Sequence, residues 1–192
     1  HGIVFIIDEI LSGFRTGITC GQGYYGVTPD LCLLGKALTN GVPLAAIAGK
    51  ENIMMKIMDP VDPVVAGGTF SGNLFGCAAG IAAMSIMEQP GFFEAWLTRV
   101  DTFLAQVQTI FDEENFPAIV QALGCTFGIY VGTRKPIRNY HDIAERTDPA
   151  LRTAFFRKCI EKGMYFHTDF TVSAMHNEET LARATGLIRE AT

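Results

Sequence analysis

Two short apolar runs each close on groups able to do chemistry. "IVFII" (3–7) is followed by Asp8 and Glu9, and "LCLL" (31–34) by Gly35 and Lys36. An acid at the end of a buried strand requires a partner, because an unpaired buried charge is costly. A lysine in such a place has its charged form disfavoured, which makes the amine a usable nucleophile towards carbonyls. If both runs are strands pointing the same way, Asp8 and Lys36 share the sheet edge where open α/β sheets bind ligands. Gly35 would let the backbone approach whatever Lys36 contacts. A structural Asp8–Lys36 ion pair is an equally open reading of the spacing, since buried ion pairs also occur without function.

A third element breaks the tie. "GGTFSGN" (67–73) sets two glycines, two hydroxyls and an amide before the helical run "LFGCAAGIAAMSIMEQ" (74–89). A helix N-terminus with Thr69 or Ser71 nearby is a ready seat for an anionic phosphate, with simple N-capping as the plainer alternative. A carboxylate, an amine and a phosphate seat together fit pyridoxal 5′-phosphate.

Other motifs carry less. "GQGYYG" (21–26) matches the dinucleotide pattern, but Val27, Thr28 and Pro29 follow instead of a helix, and positions 44–49 hold no acid. That context makes it a glycine-rich turn. "LGKA" fails as a phosphate-binding lysine loop, because Asp30 and Ala37 stand where Gly and a hydroxyl are needed. His141, His167 and His176 lie in separate segments without ligand spacing, so no metal site is expected.

The elements that would position this chemistry follow from periodicity. The run 3–7 is apolar throughout, as in a parallel strand covered on both faces. Residues 11–30 read as loop with at most a helical turn, 43–49 as a third strand and 51–58 as a short helix. In the run 74–89, Gly76, Ala79, Gly80 and Ala83 make a small-residue stripe that allows close approach to a sheet. Phe92, Trp96, Val100, Phe103, Val107 and Ile110 recur at three or four residues, predicting one long amphipathic helix. Residues 119–131 read as strand with a glycine interruption, 132–148 as polar loop, 149–163 as helix and 170–174 as a last strand. Asn177 should cap a final helix with Glu178 and Glu179 in its first turn. The change of texture places a domain boundary at residue 95, giving domains 1–95 and 96–192.

The bulk numbers narrow the class. A chain of 192 residues, 48% hydrophobic and 18% charged, can bury a substantial core in one or two domains. A net charge of −5 without a basic run gives no footprint for nucleic acid. No uninterrupted apolar run is long enough for a bilayer, so no membrane partner is expected. Five cysteines, odd in number and without close pairing, point to reduced thiols and a cytoplasmic location. His1 directly before a core strand, with no initiator Met, points to a fragment.

Together "DEILSGFR", "GYYGVTPDLCLLGKALTNGVPLAAIAG", "GGTFSGN" and "FTVSAMHNEE" resemble the class III (subgroup II) aminotransferases, with the glutamate-1-semialdehyde 2,1-aminomutase group nearest in look. The resemblance covers nearly the whole chain. It implies an α/β fold-type I pyridoxal-phosphate-dependent transferase: part of a large domain with a mainly parallel sheet, then a small α+β C-terminal domain. It also implies a homodimer with active sites at its interface. Lys36 matches the lysine that forms the internal aldimine, and Asp8 the acid that pairs with the pyridine nitrogen. Ile10 takes the place of the aliphatic residue, often Val, against one ring face. Thr69, beside Gly68, matches the threonine that reaches the phosphate bound by the other subunit. Glu9 is expected to bond a neighbouring loop rather than a cofactor. Leu74 departs from the family's Pro after "SGN", and "ALTNG" (37–41) replaces a run richer in glycine. The expected activity is transamination between a small amino donor and a carbonyl acceptor, with intramolecular aminomutase transfer or an inactive truncated chain as alternatives.

Overall fold

The structure is a computed structural model that describes residues 1–165 and 170–192. The chain divides into two compact units, His1–Phe93 and Glu94–Thr192.

In the first unit, β1 (Ile6–Glu9) pairs in parallel with β2 (Leu31–Leu34), setting Asp8 opposite Leu33 and Glu9 opposite Leu34. β3 (Ala46–Gly49) lies antiparallel on the far side of β2, so the order is β1-β2-β3. The expected strand 3–7 is corrected in two ways. It starts at Ile6 and runs through the two acids, and Ile3, Val4, Phe5 and Ile6 are exposed. Within this chain β1 stands at the edge of the sheet.

Between β1 and β2 the chain forms a loop holding only α1 (Cys20–Tyr25), which ends at Gly26 in the left-handed region (φ 63°). "GQGYYG" is thus most of a short helix and its stop signal, and no strand leads into it. After β3 come α2 (Glu51–Met54) and a 3-10 turn (Met55–Met58), then irregular chain to α3 (Leu74–Met87). α3 buries Gly76, Gly80, Ala83 and Met87, with Ala79 only half-buried. Its small residues meet the segment after Lys36 rather than a sheet: a Cβ on Gly76 would fall 2.9 Å from the Pro43 carbonyl oxygen. Phe14, Cys20, Leu38, Ala83 and Met87 form the core there, flanked by Leu34, Leu44, Phe92 and Phe93.

The second unit is organised on α4 (Phe92–Glu113), which buries Trp96, Val100, Phe103, Leu104, Val107, Ile110 and Phe111 at the expected spacing. Residues 119–131 are not one interrupted strand but a hairpin of β4 (Ala118–Leu123) and β5 (Thr126–Val131), because Gly124 (φ 57°) reverses the chain. The segment 132–148 is not all loop. It contains α5 (Tyr140–Arg146), capped by Asn139 and closed by a 2.7 Å Asp142–Arg146 ion pair. α6 (Pro149–Glu161) follows, with Asp148 as cap and Pro149 in its first turn. The expected strand 170–174 is reduced to β6 (Phe170–Thr171), since the turn from Ser173 to His176 ends it. α7 (Glu178–Ala191) is capped by Asn177, whose carbonyl accepts from the Thr180 amide at 2.9 Å.

Candidate functional site

The site grows from the parallel pairing of β1 and β2. With Glu9 opposite Leu34, the next residues, Ile10 and Gly35, leave the sheet together. A Cβ on buried Gly35 would fall 3.3 Å from Ile10 Cγ2, so glycine is what lets the two chains leave side by side. Lys36 then turns into the left-handed region (φ 42°) and opens a 3-10 turn (Lys36–Leu38). The turn is closed by Leu38 N–H to Gly35 O (2.9 Å) and Asn40 N–H to Lys36 O (3.0 Å). Left-handed backbone costs an L-residue about 1–2 kcal/mol. Such strain persists only where surrounding structure over-determines it, and it gathers at functional positions.

Lys36 is exposed, and among the described residues its ammonium has no hydrogen bond or ion pair. The chain leaves the sheet at Gly35, so Lys36 begins a turn instead of closing a strand. Asp8 is exposed too. Its Oδ1 accepts the Ile10 amide at 2.9 Å, and among the described residues its Oδ2 has no partner. No ion pair joins Asp8 to Lys36, so the rival structural reading of the spacing has no bond behind it.

Gly68 and Thr69 stand on a different element, the turn before α3, where the Ser71 amide donates to Gly68 O at 3.0 Å. Both are exposed, and nothing joins them to Asp8 or Lys36 among the described residues. The cap of α3 is neither Thr69 nor Ser71. Asn73, the residue directly before the helix and in extended backbone, accepts the Gly76 amide at 2.7 Å. Its side-chain amide also donates to Pro43 O at 3.0 Å, tying this turn to the segment that follows Lys36.

Glu9 is the residue to which spacing gave no chemistry. It is 1% exposed and makes the expected bonds to a neighbouring loop: Ser12 Oγ donates to Oε2 (2.6 Å) and the Gln22 amide to Oε1 (2.8 Å). The readable signal was an acid inside a sheet with serine and glycines close behind. Among the described residues no group of His, Cys, Asp and Glu could hold a metal ion, and His167 lies outside them.

The first unit thus sets a carboxylate on one strand and an unpaired lysine in left-handed backbone just past the end of its parallel neighbour. The family model for class-III aminotransferases matches residues 1–185, and the chain belongs to that family. A glutamate-1-semialdehyde 2,1-aminomutase of Nitrosospira multiformis is 33% identical over 187 residues, covering 95% of this chain and 43% of that protein. The crystal structure of an omega-transaminase from Sphaerobacter thermophilus superposes with a TM-score of 0.87 at 26% identity, covering 99% of this chain and 44% of the other. A glutamate-1-semialdehyde aminomutase structure from Pseudomonas aeruginosa gives 0.79 at 18% identity and shows the fold alone. The chain thus spans less than half the length of these relatives and carries part of the fold-type I α/β architecture.

Proposed function

We propose that the protein carrying this chain transfers amino groups with pyridoxal 5′-phosphate. The observation behind this is the unpaired Lys36 ammonium set beyond the parallel strand next to Asp8. The residues present fit the cofactor: an amine for its aldehyde, a carboxylate oxygen without a partner for its pyridine nitrogen, and an aliphatic side chain, Ile10, between them in the chain. When bound, the cofactor supplies an electron sink that makes the α-proton of an amino compound removable. Lys36 would hold the cofactor through its Nζ and, as a free amine, would move the proton at the substrate α-carbon. Asp8 keeps the pyridine nitrogen protonated by offering a fixed negative charge. Thr69, with Gly68, serves the phosphate held by the partner subunit, which makes the working unit a homodimer.

The substrates are a small amino donor and a carbonyl acceptor. Transfer within one substrate is the second reading, favoured by the curated aminomutases at 33% identity. Residues 1–95 are the C-terminal part of the cofactor domain, and 96–192 the small domain. We place the protein in the cytoplasm, on the odd cysteine count and the thiols of Cys20, Cys32, Cys77 and Cys159, which form no disulfide. No helix among the described residues is long and apolar enough to cross a membrane.

The test is cofactor titration of the complete protein, borohydride reduction and peptide mapping. Cofactor mass should be fixed on Lys36 and lost in Lys36→Ala; mass fixed on another lysine would refute the assignment. Turnover without an added amino acceptor would favour the aminomutase reading.

A further inference from the structure

We infer that Glu9 is a positioning residue, which fixes the backbone at Ile10 and so aims Asp8 and seats Ile10 beside Gly35 and Lys36. The inference rests on the role proposed for Asp8 and Lys36.

The observations form a chain of contacts. A carboxylate that is 1% exposed is expensive unless its oxygens are satisfied, and no cation pairs with Glu9 among the described residues. Its satisfaction comes from the loop, one donor before the apex and one after: Ser12 Oγ and the Gln22 amide. The Glu9 carbonyl also accepts the Gly13 amide at 2.8 Å, closing a turn that contains Ile10. Two glycines make room for this. A Cβ on Gly21 would stand 3.1 Å from both carboxylate oxygens, and one on Gly13 would stand 2.5 Å from the Glu9 carbonyl oxygen. Phe14 (φ 62°) and Cys20 (φ 57°) hold left-handed backbone in the same loop, so the loop adopts strained conformations to reach Glu9.

The turn has two outputs. The Ile10 amide donates to Asp8 Oδ1, so the place of that amide sets the Asp8 carboxylate. The Ile10 side chain stands against Gly35, the residue before Lys36.

The experiment compares Glu9→Ala, Glu9→Gln and Ser12→Ala in the complete protein. Readouts are amide exchange at Ile10, Gly13 and Gln22 without cofactor, the pH midpoint of the visible band of lysine-bound cofactor, and kcat. Glu9→Ala leaves two donors unpaired and frees the turn. A displacement of about 1 Å at a reacting group costs on the order of 10²-fold in rate. Faster amide exchange, a shifted midpoint and a kcat loss of that order are therefore expected. Glu9→Gln keeps an oxygen for the Gln22 amide and an NH₂ for the Ser12 hydroxyl to accept, so it should recover most of each loss.

Because one of the two outputs of Glu9 runs through Asp8, the double variant Glu9→Ala/Asp8→Asn should lose less than the product of the two single losses. A folded Glu9→Ala protein with the wild-type midpoint and kcat would overturn the inference. If Glu9→Ala does not fold, Ser12→Ala decides: it removes one bond, should move the midpoint the same way by less, and an unmoved midpoint refutes. A band that survives in Lys36→Ala would refute the cofactor assignment instead, so the two failures are distinguishable.

Discussion

Replacing Lys36 by glycine should give a more stable cofactor-free protein than replacing it by alanine, the reverse of the usual ranking. Elsewhere in a chain, glycine loses to alanine because it gives up more freedom on folding, by about 0.4–1 kcal/mol. At position 36 the backbone is left-handed (φ 42°), which costs any residue with a Cβ about 1–2 kcal/mol. The difference spans about 0–1.6 kcal/mol and centres on about 0.5–1 kcal/mol in favour of Lys36→Gly. Because Lys36 is exposed and its ammonium has no partner among the described residues, truncation removes neither packing nor an ion pair. Lys36→Ala should accordingly lie within about 0.5 kcal/mol of wild type. Urea unfolding of the two variants and the wild type without cofactor reads this directly, as a shift in midpoint at constant slope. By heat the gap should be about 1–4 °C, given roughly 2–4 °C per kcal/mol for a chain of this size. Equal midpoints, or a higher one for Lys36→Ala, would show that no strain is stored at Lys36.

Asp8→Asn should retain cofactor but lose about 10²–10³ in rate, the usual cost of a preorganised electrostatic partner; a wild-type kcat would give Asp8 another role. Burial pushes the fully buried Cys159 thiol up to about 11 from an ordinary 9.0. The folded state thus holds its proton where the unfolded state has lost it. Stability should fall as pH rises from 9 to 11, by about 2–3 kcal/mol from this group. Melting curves across that range should flatten in Cys159→Ala, and an unchanged slope would refute the assignment.

What the sequence made legible was local. The spacing from Trp96 to Ile110 specifies a helix face wherever the helix lies, and Asn177 with Glu178 and Glu179 marks a helix start through bonds within one turn. Asp8, Gly35 and Lys36 stood out because each apolar run closes on an ionisable group. Residues 3–6 have the composition of a central strand and stand at the sheet edge in this chain, which spans less than half the length of its relatives. The turn that Lys36 opens was not readable, because composition cannot show that Gly35 and a positive φ take the chain out of the sheet first. Glu9 was read as bonding a neighbouring loop, but which groups it bonds, Ser12 and the Gln22 amide, depends on how the loop folds back. Asn73 looked like one polar residue among several; only its place directly before the first helical residue made it the cap.

The seating of α3 also fixes how long the chain can be. Gly76 lies under the Pro43 carbonyl and Asn73 donates to the same oxygen, so the stretch that opens with the 3-10 turn at Lys36 is gripped at its far end. A residue inserted there would have to lift the helix or drag the lysine. By contrast, 60–66 is exposed at every position, and added chain there would loop into solvent. Length differences among related chains should collect in 60–66 and be missing from 36–44, and a reporter tag spliced into this unit belongs in the same place.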